Sequence, residues 1–308
     1  MVMDMKYKFY GAENTNIKPI TKGFELIANL RVLYDYMDKI WCEYSCAPRY
    51  RKEWNESNKT LGQCSITSFL IQDIFGGKVY GVPLKEGGYH CYNVIDGYKF
   101  DLTSEQFGDE ALDYSDLYEQ SREEHFANQE KYERYLYIKR KLIDSLVEKK
   151  NEAFVKDADE SVKELVHGQN PYMIVVTCSD SRVVPEKIFN ASFNEMFTIR
   201  TAGNVINEGE LASIEYGIEH LHINYVLILG HTNCGAVHAC IHREEGQYLD
   251  PILNRIAHNI GDIDDELMAA TINAQKEALY LKEKFPNRNV IFDSAIYDLS
   301  TNKVVFNK

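Results

Sequence analysis

Two apolar runs, each the length of a buried β-strand, constrain the fold of this chain more than any other feature. Residues 173–177 read Met-Ile-Val-Val-Thr and lead into Cys178, and residues 226–230 read Val-Leu-Ile-Leu-Gly and lead into His231. Runs of this length and composition are typical of strands buried on both faces of a parallel sheet. The sequence therefore predicts two buried strands, one ending at a Cys and the other at a His.

These strand ends carry a set of residues that suits a zinc site. Cys234 follows His231 by three residues, and Cys178 is itself followed by an acid, Asp180, and a base, Arg182. Two thiolates and one imidazole are ligands that zinc prefers, and three protein ligands with one open position are typical of catalytic zinc. A buried Cys at a strand end is usually inert, so the prediction depends on the combination. We expect one Zn²⁺ per chain, bound by Cys178, His231 and Cys234.

The C-terminal half alternates predicted strands with predicted helices. The strands are expected at 172–177, 196–200, 225–230 and 289–297, and the helices near 185–190, 209–222, 235–243 and 265–284. This alternation predicts an α/β fold, an open, mainly parallel sheet with flanking helices. If the first and third strands are neighbours, their carboxyl ends form a crevice of the kind in which such sheets bind ligands.

Length and charge limit the organisation and the partners. The 308 residues suggest two domains, and we place them at 1–142 and 143–308, with the junction in a charged helical stretch. The net charge of −13 argues against nucleic acid and anionic membrane partners. Residues 1–10 lack a signal-peptide pattern, and no apolar run is long enough to cross a bilayer. Seven Cys without small-scaffold spacing do not suggest a disulfide framework. We therefore expect a cytoplasmic protein.

The N-terminal half is predicted to be a small α+β domain. Residues 24–41 have the periodicity of an amphipathic helix, and 65–75 form a second predicted helix that ends at Gly76-Gly77. Two short strands, 88–95 and 98–102, are joined by Asp96-Gly97, which is a strong hairpin signal.

Three residues of this half occur in the order of a thiol enzyme. Cys64 opens the second helix, His90 lies on a strand, and Asp101 lies on the paired strand. This is the layout of papain-like and transglutaminase-like enzymes, in which the His activates the Cys and the acid orients the His. The alternative is a module whose Cys and His only pack or bind. A Cys64/His90/Asp101 triad is therefore a hypothesis.

Residues from about 41 to 142 resemble the YunG family of uncharacterised bacterial proteins. The resemblance is carried by Gly62-Gln63-Cys64-Ser65, Gln72-Asp73, Gly76-Gly77, His90 to Asn93, and Asp101-Leu102-Thr103 with Gln106-Phe107. The family has no settled activity, so the resemblance implies no function.

Residues from about 143 to 308 resemble the β-class carbonic anhydrases. The resemblance is carried by Gly168-Gln169-Asn170-Pro171, CSDSRVVPE from Cys178, Phe197, Arg200, Ala202-Gly203-Asn204, Ile214-Glu215-Tyr216, GHTNCGAV from Gly230, and Ala295 to Leu299. One departure is Thr201, where many members carry Asn.

The resemblance implies a reaction and roles for several residues. The reaction is the reversible hydration of carbon dioxide to bicarbonate and a proton, by attack of zinc-bound hydroxide. Asp180 and Arg182 would form a catalytic dyad, and Asp180 would become the fourth zinc ligand in a closed form, when Arg182 releases it.

The resemblance also implies a substrate pocket at a dimer interface. Gln169 would bind substrate, Phe197 and Tyr216 would form an aromatic wall, and Gly203 would belong to the same pocket. The chain is expected to be a homodimer or a dimer of dimers.

Two alternatives remain open: a bifunctional protein with an added thiol hydrolase or transferase activity, and a zinc-bearing regulatory protein. The proton carrier is not identified.

Overall fold

The computed structural model describes residues 6–85, 87–108, 110–115, 117–157, 160–286 and 288–307. The chain divides into two compact units, Met1–Asp157 and Ala158–Lys308. The division falls at the end of a long helix, Gln129–Asp157, and the domain boundary placed between residues 142 and 143 lies inside this helix. Leu146, beyond that boundary, is buried in the core of the N-terminal unit. Within the described ranges, none of the helices has the length and apolar composition that crossing a membrane requires.

The N-terminal unit is a small α+β fold, as predicted. Its helices and strands are α1 (Leu30–Ile40), α2 (Cys64–Phe75), β1 (Lys78–Pro83), β2 (Tyr89–Ile95), β3 (Tyr98–Phe100), α3 (Arg122–Phe126) and α4 (Gln129–Asp157), with 3-10 turns at Pro48–Tyr50 and Ser104–Phe107. The strands form an antiparallel sheet in the order β1-β2-β3.

Helix α2 lies at the centre of this unit. Its fully buried apolar residues are Ile66, Phe69, Leu70, Ile71 and Ile74. The Asn93 side chain on β2 donates to the carbonyl of Ser68 at 2.8 Å, which fixes α2 against the sheet. The first residue of α2 is Cys64, as expected, so packing of this helix determines where the thiol lies.

Two details of this half differ from the predictions. Helix α1 begins at Leu30 rather than at residue 24, because the Asn29 side chain accepts hydrogen bonds from the N–H groups of Arg31 and Val32 and caps the helix there. Strand β1 was not predicted, since it contains Gly81 and ends at Pro83, residues that are depleted in strands.

The C-terminal unit is an open, mainly parallel sheet with flanking helices, which confirms the predicted fold class. Its elements are β4 (Met173–Cys178), α5 (Pro185–Ile188), β5 (Met196–Thr201), α6 (Glu208–His220), β6 (Tyr225–His231), α7 (Gly235–Ile241), α8 (Asp250–Ile260), α9 (Glu266–Lys284), β7 (Ile291–Asp298) and β8 (Lys303–Phe306), with 3-10 turns at Glu160–His167 and Ala202–Asn204. The strand order is β5-β4-β6-β7-β8, and only β8 is antiparallel to its neighbour.

The two central strands place the predicted ligands at one edge of the sheet. Strands β4 and β6 are parallel neighbours, paired from Ile174 with Val226 to Thr177 with Leu229. All six residues of β4 are buried, as the apolar run predicted. Because both strands run the same way, their carboxyl ends meet at the crevice where the strand order reverses.

Candidate metal centre

Cys178, His231 and Cys234 converge in the crevice. Cys178 is the last residue of β4, His231 is the last residue of β6, and Cys234 is the N-cap residue of α7. Their ligand atoms all lie within 4.8 Å of one another, and the three residues are buried. The two sulfur atoms are 3.9 Å apart. The structure therefore brings the three predicted ligands together in one buried group, and their binding of a metal stays a prediction.

The His231 ring is oriented as a metal ligand. Its Nδ1 lies 2.9 Å from the carbonyl oxygen of Thr232, so Nδ1 carries the proton and donates it. The other nitrogen, Nε2, is buried and has no hydrogen-bond partner within the described part of the chain. A buried acceptor without a partner is costly, and metal-binding His side chains usually donate their second N–H to an oxygen in this way. The donor set and the unpartnered nitrogen both fit Zn²⁺.

The sulfur atoms of Cys178 and Cys234 are hydrogen-bonded to each other. The hydrogen bond with Cys234 lowers the pKa of Cys178 to about 4, and the same bond, together with burial, raises the pKa of Cys234. The backbone N–H of Gly203 also donates to the Cys178 sulfur at 3.3 Å. Metal binding requires both thiolates and therefore releases protons.

Asp180 and Arg182 form a two-pronged ion pair beside the cluster. Arg182 Nε lies 2.9 Å from Asp180 Oδ1, and Arg182 Nη2 lies 2.7 Å from Oδ2. The hydrogen bond from Arg182 lowers the pKa of Asp180 to about 2, although burial opposes the shift. Arg182 Nη2 also donates to the carbonyl of Asn233 at 3.2 Å. Asp180 is therefore ionised at neutral pH and held in one orientation.

Two residues that the sequence analysis gave no role support this site. Arg200 donates to the carbonyl oxygens of Cys178 at 3.2 Å and Asp180 at 2.7 Å. Asn273 on α9 donates to the Gly203 carbonyl at 2.8 Å. Arg200 was indicated by the resemblance to the β-class carbonic anhydrases and by its place near the end of β5, beside β4. Asn273 gave none, because its contact depends on how α9 packs.

The structure shows fewer contacts with the cluster for the four residues that are expected to bind substrate. The rings of Phe197 and Tyr216 lie next to each other, with centroids 6.3 Å apart. Gly203 has a left-handed φ of 67°, and a Cβ there would lie 2.7 Å from a side-chain carbon of Ile256. Gln169 is exposed in the segment before β4. Of these four residues, Gly203 contacts the cluster, through Cys178, and their binding roles stay predictions.

The structure also brings together part of the N-terminal triad. His90 Nε2 and Asp101 Oδ2 lie 2.6 Å apart, and both side chains are 1% exposed. Cys64 is partly exposed at the start of α2, and its thiol interacts with the His90 ring.

Two protein families match this chain. Residues 29–147 match the family described as YunG protein, and residues 173–305 match the family described as carbonic anhydrase. Neither match covers residues 148–172, which lie between the two matched ranges.

Curated relatives match part of this chain. Carbonic anhydrase 2 of Mycobacterium tuberculosis is 38% identical over 101 residues, which is 31% of this chain and 49% of that protein. A carbonic anhydrase of Synechococcus elongatus is 40% identical over 104 residues, 32% of this chain and 38% of that protein. The chain thus spans about half or less of the length of these relatives.

The solved structures are less similar in sequence to this chain than the two curated relatives are. The β-carbonic anhydrase CafA of Aspergillus fumigatus is 24% identical, covers 53% of this chain and 90% of its own, and has a TM-score of 0.48. Residues 29–147 of this chain are therefore similar to the YunG family, and residues 173–305 are similar to the carbonic anhydrase family.

Proposed function

We propose that the C-terminal unit catalyses the reversible hydration of carbon dioxide to bicarbonate and a proton, using one Zn²⁺ held by Cys178, His231 and Cys234. The observation that carries the proposal is the buried cluster itself, in which Nε2 of His231 faces no hydrogen-bond partner among the described residues. The carbonic anhydrase family match and the names of the curated relatives support the same reaction.

The ligand set fits the chemistry that the reaction needs. Zn²⁺ in such a site supplies a hydroxide nucleophile at neutral pH, because it lowers the pKa of a bound water to about 7. Cys178 and Cys234 as thiolates would balance the charge of the ion, and the imidazole of His231 would complete a three-ligand set. Three protein ligands leave one position for water or substrate.

Asp180 and Arg182 orient the reacting water in this proposal. The ion pair keeps Asp180 ionised and fixed, so its carboxylate accepts a hydrogen bond and cannot donate one. We propose that Asp180 accepts from the reacting water and thereby points a lone pair toward carbon dioxide. Both carboxylate oxygens bond to Arg182 here, so Asp180 would ligate the metal only in a closed form in which Arg182 lets go.

The substrate pocket and the assembly are further parts of the proposal. Phe197 and Tyr216 would form an apolar wall for carbon dioxide, the Gln169 amide would bind substrate, and Gly203 would leave room beside Cys178. Tyr216 is 46% exposed, and a second copy would cover it in the proposed homodimer or dimer of dimers. We place the protein in the cytoplasm, where thiolate ligands stay reduced.

Stopped-flow measurement of carbon dioxide hydration with a pH indicator tests the proposal. We expect the zinc-loaded wild type to exceed the buffer rate, and we expect His231→Ala to fall to that rate. Cys240→Ser, which changes a half-buried Cys outside the cluster, should retain the wild-type rate. A wild type that binds zinc and shows no hydration would instead support the regulatory zinc protein.

A further inference from the structure

The N-terminal unit contains a cavity of about 1000 Å³ that carbon dioxide hydration does not use. Its lining includes Cys64 and His90, and all of its lining residues come from this unit. Cys64 is partly exposed, whereas His90 is almost completely buried. A thiol accessible to a cavity, next to a buried imidazole, is the arrangement that nucleophilic catalysis requires.

The imidazole of His90 is held in one orientation. Its Nε2 donates to Asp101 Oδ2 over 2.6 Å, which leaves Nδ1 for a second partner. Asp101 is fixed in turn, because Tyr114 donates to Oδ2 at 2.9 Å, and the N–H and hydroxyl of Thr103 donate to Oδ1 at 3.0 and 2.9 Å. The ring of Phe107 packs edge-on against His90, with centroids 4.7 Å apart. A buried carboxylate with four hydrogen bonds around one His is a positioning device.

The thiol of Cys64 lies where a negative charge is favoured. It is the first residue of the 12-residue helix α2, whose N-cap residue, Gln63, makes no side-chain capping bond. No acidic residue occupies the first turn. The unsatisfied N–H groups and the helix dipole therefore remain available to stabilise an anion at this end.

Charge and hydrogen bonding act on Cys64 in the same direction. A hydrogen bond from Cys91 and the charge of His90 lower the pKa of Cys64 well below its usual range, although burial opposes them. Burial disfavours the charged form of His90, but the carboxylate of Asp101 and the Cys64 thiolate outweigh it and raise the pKa of His90 to about 10. These interactions favour the thiolate form of Cys64 and the imidazolium form of His90.

We propose that Cys64, His90 and Asp101 form a second catalytic site, which transfers the acyl group of an amide, ester or thioester that carries a carboxylate. The proposal goes beyond carbon dioxide hydration and does not depend on zinc. It rests on the shared cavity, the fixed His90–Asp101 pair and the uncapped start of α2.

The reaction balances without any redox partner. The Cys64 sulfur bonds to the carbonyl carbon, the bond from that carbon to the leaving group breaks, and His90 gives its Nδ1 proton to the leaving group. Water then attacks the thioester while His90 takes up its proton. The carbon–sulfur bond breaks and the acid is released. The N–H groups of the first turn of α2 stabilise the oxyanion in both steps.

Lys131 gives the cavity a preference for an anionic acyl group. Its Nζ lies 3.1 Å from His125 Nδ1, and no carboxylate among the described residues forms an ion pair with it. Burial lowers the pKa of Lys131, and the thiolate of Cys64 acts on it electrostatically in the other direction. Glu130, which also lines the cavity, is already paired with Arg51 and Arg134. A substrate carboxylate would give Lys131 an anionic partner in addition to His125.

The first experiment measures the reactivity of each thiol. The protein is treated with a limiting dose of iodoacetamide at pH 6, and the modified peptides are quantified by mass spectrometry. We expect Cys64 to react at least about tenfold faster than Cys240, whose pKa is raised by burial. We expect Asp101→Asn and His90→Gln to slow Cys64 alone. If wild-type Cys64 reacts no faster than Cys240, the proposal is overturned, whether or not the variants fold.

The second experiment measures acyl transfer and its charge preference. 4-Nitrophenyl hemisuccinate and 4-nitrophenyl butyrate differ by a carboxylate in place of a methyl group. We expect a burst of nitrophenolate and an acid-quenched acyl adduct on Cys64, faster with hemisuccinate, absent in Cys64→Ala. Lys131→Met should react with both esters at the butyrate rate.

The outcomes separate the parts of the proposal. No adduct on Cys64 with either ester would overturn acyl transfer. Equal rates with both esters in the wild type would overturn the carboxylate preference. Neither result bears on carbon dioxide hydration, which is measured separately.

Discussion

The neighbouring residue in the chain prepares His231 to bind a metal. The Thr232 carbonyl accepts the Nδ1 proton at 2.9 Å, so the lone pair of Nε2 is directed to the side where the two sulfurs lie. The same hydrogen bond fixes the angle of the ring, which reduces the entropy that metal binding must offset.

Asp180 is the residue whose proposed role a single substitution tests most simply. Asp180→Asn keeps the shape of the side chain but removes its charge and one acceptor, so it can no longer hold the reacting water in the proposed orientation. We expect a loss of about 10- to 100-fold in the hydration rate, the usual cost of changing such a partner. Stopped-flow kinetics measures this, with Asp262→Asn, an exposed acid, as the control. An unchanged rate in Asp180→Asn would contradict the role.

The His90–Asp101 pair predicts a pH dependence of stability in the N-terminal unit. The pKa of His90 is raised from 6.5 to about 10 in the folded chain, so its contribution is complete below pH 6.5 and is lost as the pH rises through about 10. Urea unfolding followed by fluorescence reports on this unit, because both tryptophans, Trp41 and Trp54, lie in it. The difference in unfolding free energy between wild type and His90→Gln should be larger at pH 6.5 than above pH 10. The same difference at both values would contradict the prediction.

At the scale of single residues, the sequence predicts the position of a reactive side chain best when that residue comes directly after a buried strand. Cys178 and His231 each come directly after an apolar run, so their place in the crevice could be predicted. The tautomer of His231 could not, since it depends on the direction of one carbonyl. The contacts of Arg200 and Asn273 join segments that are distant in the chain, and no local pattern indicates them.

A network between two helices and a loop is the main structural support at the element scale. Arg255 on α8 bonds to both oxygens of Glu277 on α9 at 2.7 Å. Asn259 donates to Asn273 at 2.9 Å and to Glu277 at 2.8 Å, and Asn273 donates to the carbonyl of Gly203. Because the N–H of Gly203 bonds to the Cys178 sulfur, helix packing and the metal cluster are connected through one loop.

Breaking this network should be costly. The Glu277 side chain is completely buried, so Arg255→Met leaves an unpaired charge in the core, and we expect a loss of about 3–5 kcal/mol. Scanning calorimetry measures the unfolding of the C-terminal unit. Arg288→Met, which removes an exposed partner of Glu219, should cost less than about 1 kcal/mol. Similar losses in the two variants would argue against the network.

The double variant Arg255→Met/Glu277→Met gives a second check on the same network. Replacing both members of a buried ion pair by apolar residues is often close to neutral. We therefore expect it to recover most of the stability that Arg255→Met loses.

Elements with a strong local pattern were predictable, and elements formed by packing were not. Strands β4 and β6 are apolar runs, and the Asp96-Gly97 turn predicted the β2–β3 hairpin. Helix α8 was not predicted, although Leu253, Ile256 and Ile260 have helical spacing. Strand β8 was missed because it is four residues long and mostly exposed. Its pairing with β7 depends on the rest of the sheet.

At the scale of the whole molecule, two units carry two separate groups of reactive residues. The metal cluster lies in the unit Ala158–Lys308, and the Cys64 cavity lies in Met1–Asp157. The domain boundary between residues 142 and 143 stays a proposal. A boundary there would separate Leu146 from the N-terminal core in which it is buried.

We expect the two groups to act independently. Cys64→Ala removes a thiol from the N-terminal unit and leaves Cys178, His231 and Cys234 unchanged, so its hydration rate should remain within about twofold of the wild type, a difference of about 0.4 kcal/mol in barrier height. The measurement is stopped-flow kinetics on the full chain. Equal losses in Cys64→Ala and Asp180→Asn would indicate that the N-terminal unit regulates the metal site.

All of the proposed chemistry in the C-terminal unit requires that two sulfurs and one imidazole nitrogen hold a single zinc ion. Plasma mass spectrometry of the purified chain measures its zinc content. We expect about one zinc per wild-type chain, loss of that zinc in Cys234→Ser, and retention of it in Cys240→Ser. A wild type without stoichiometric zinc, or a Cys234→Ser variant that keeps it, would rule out this site.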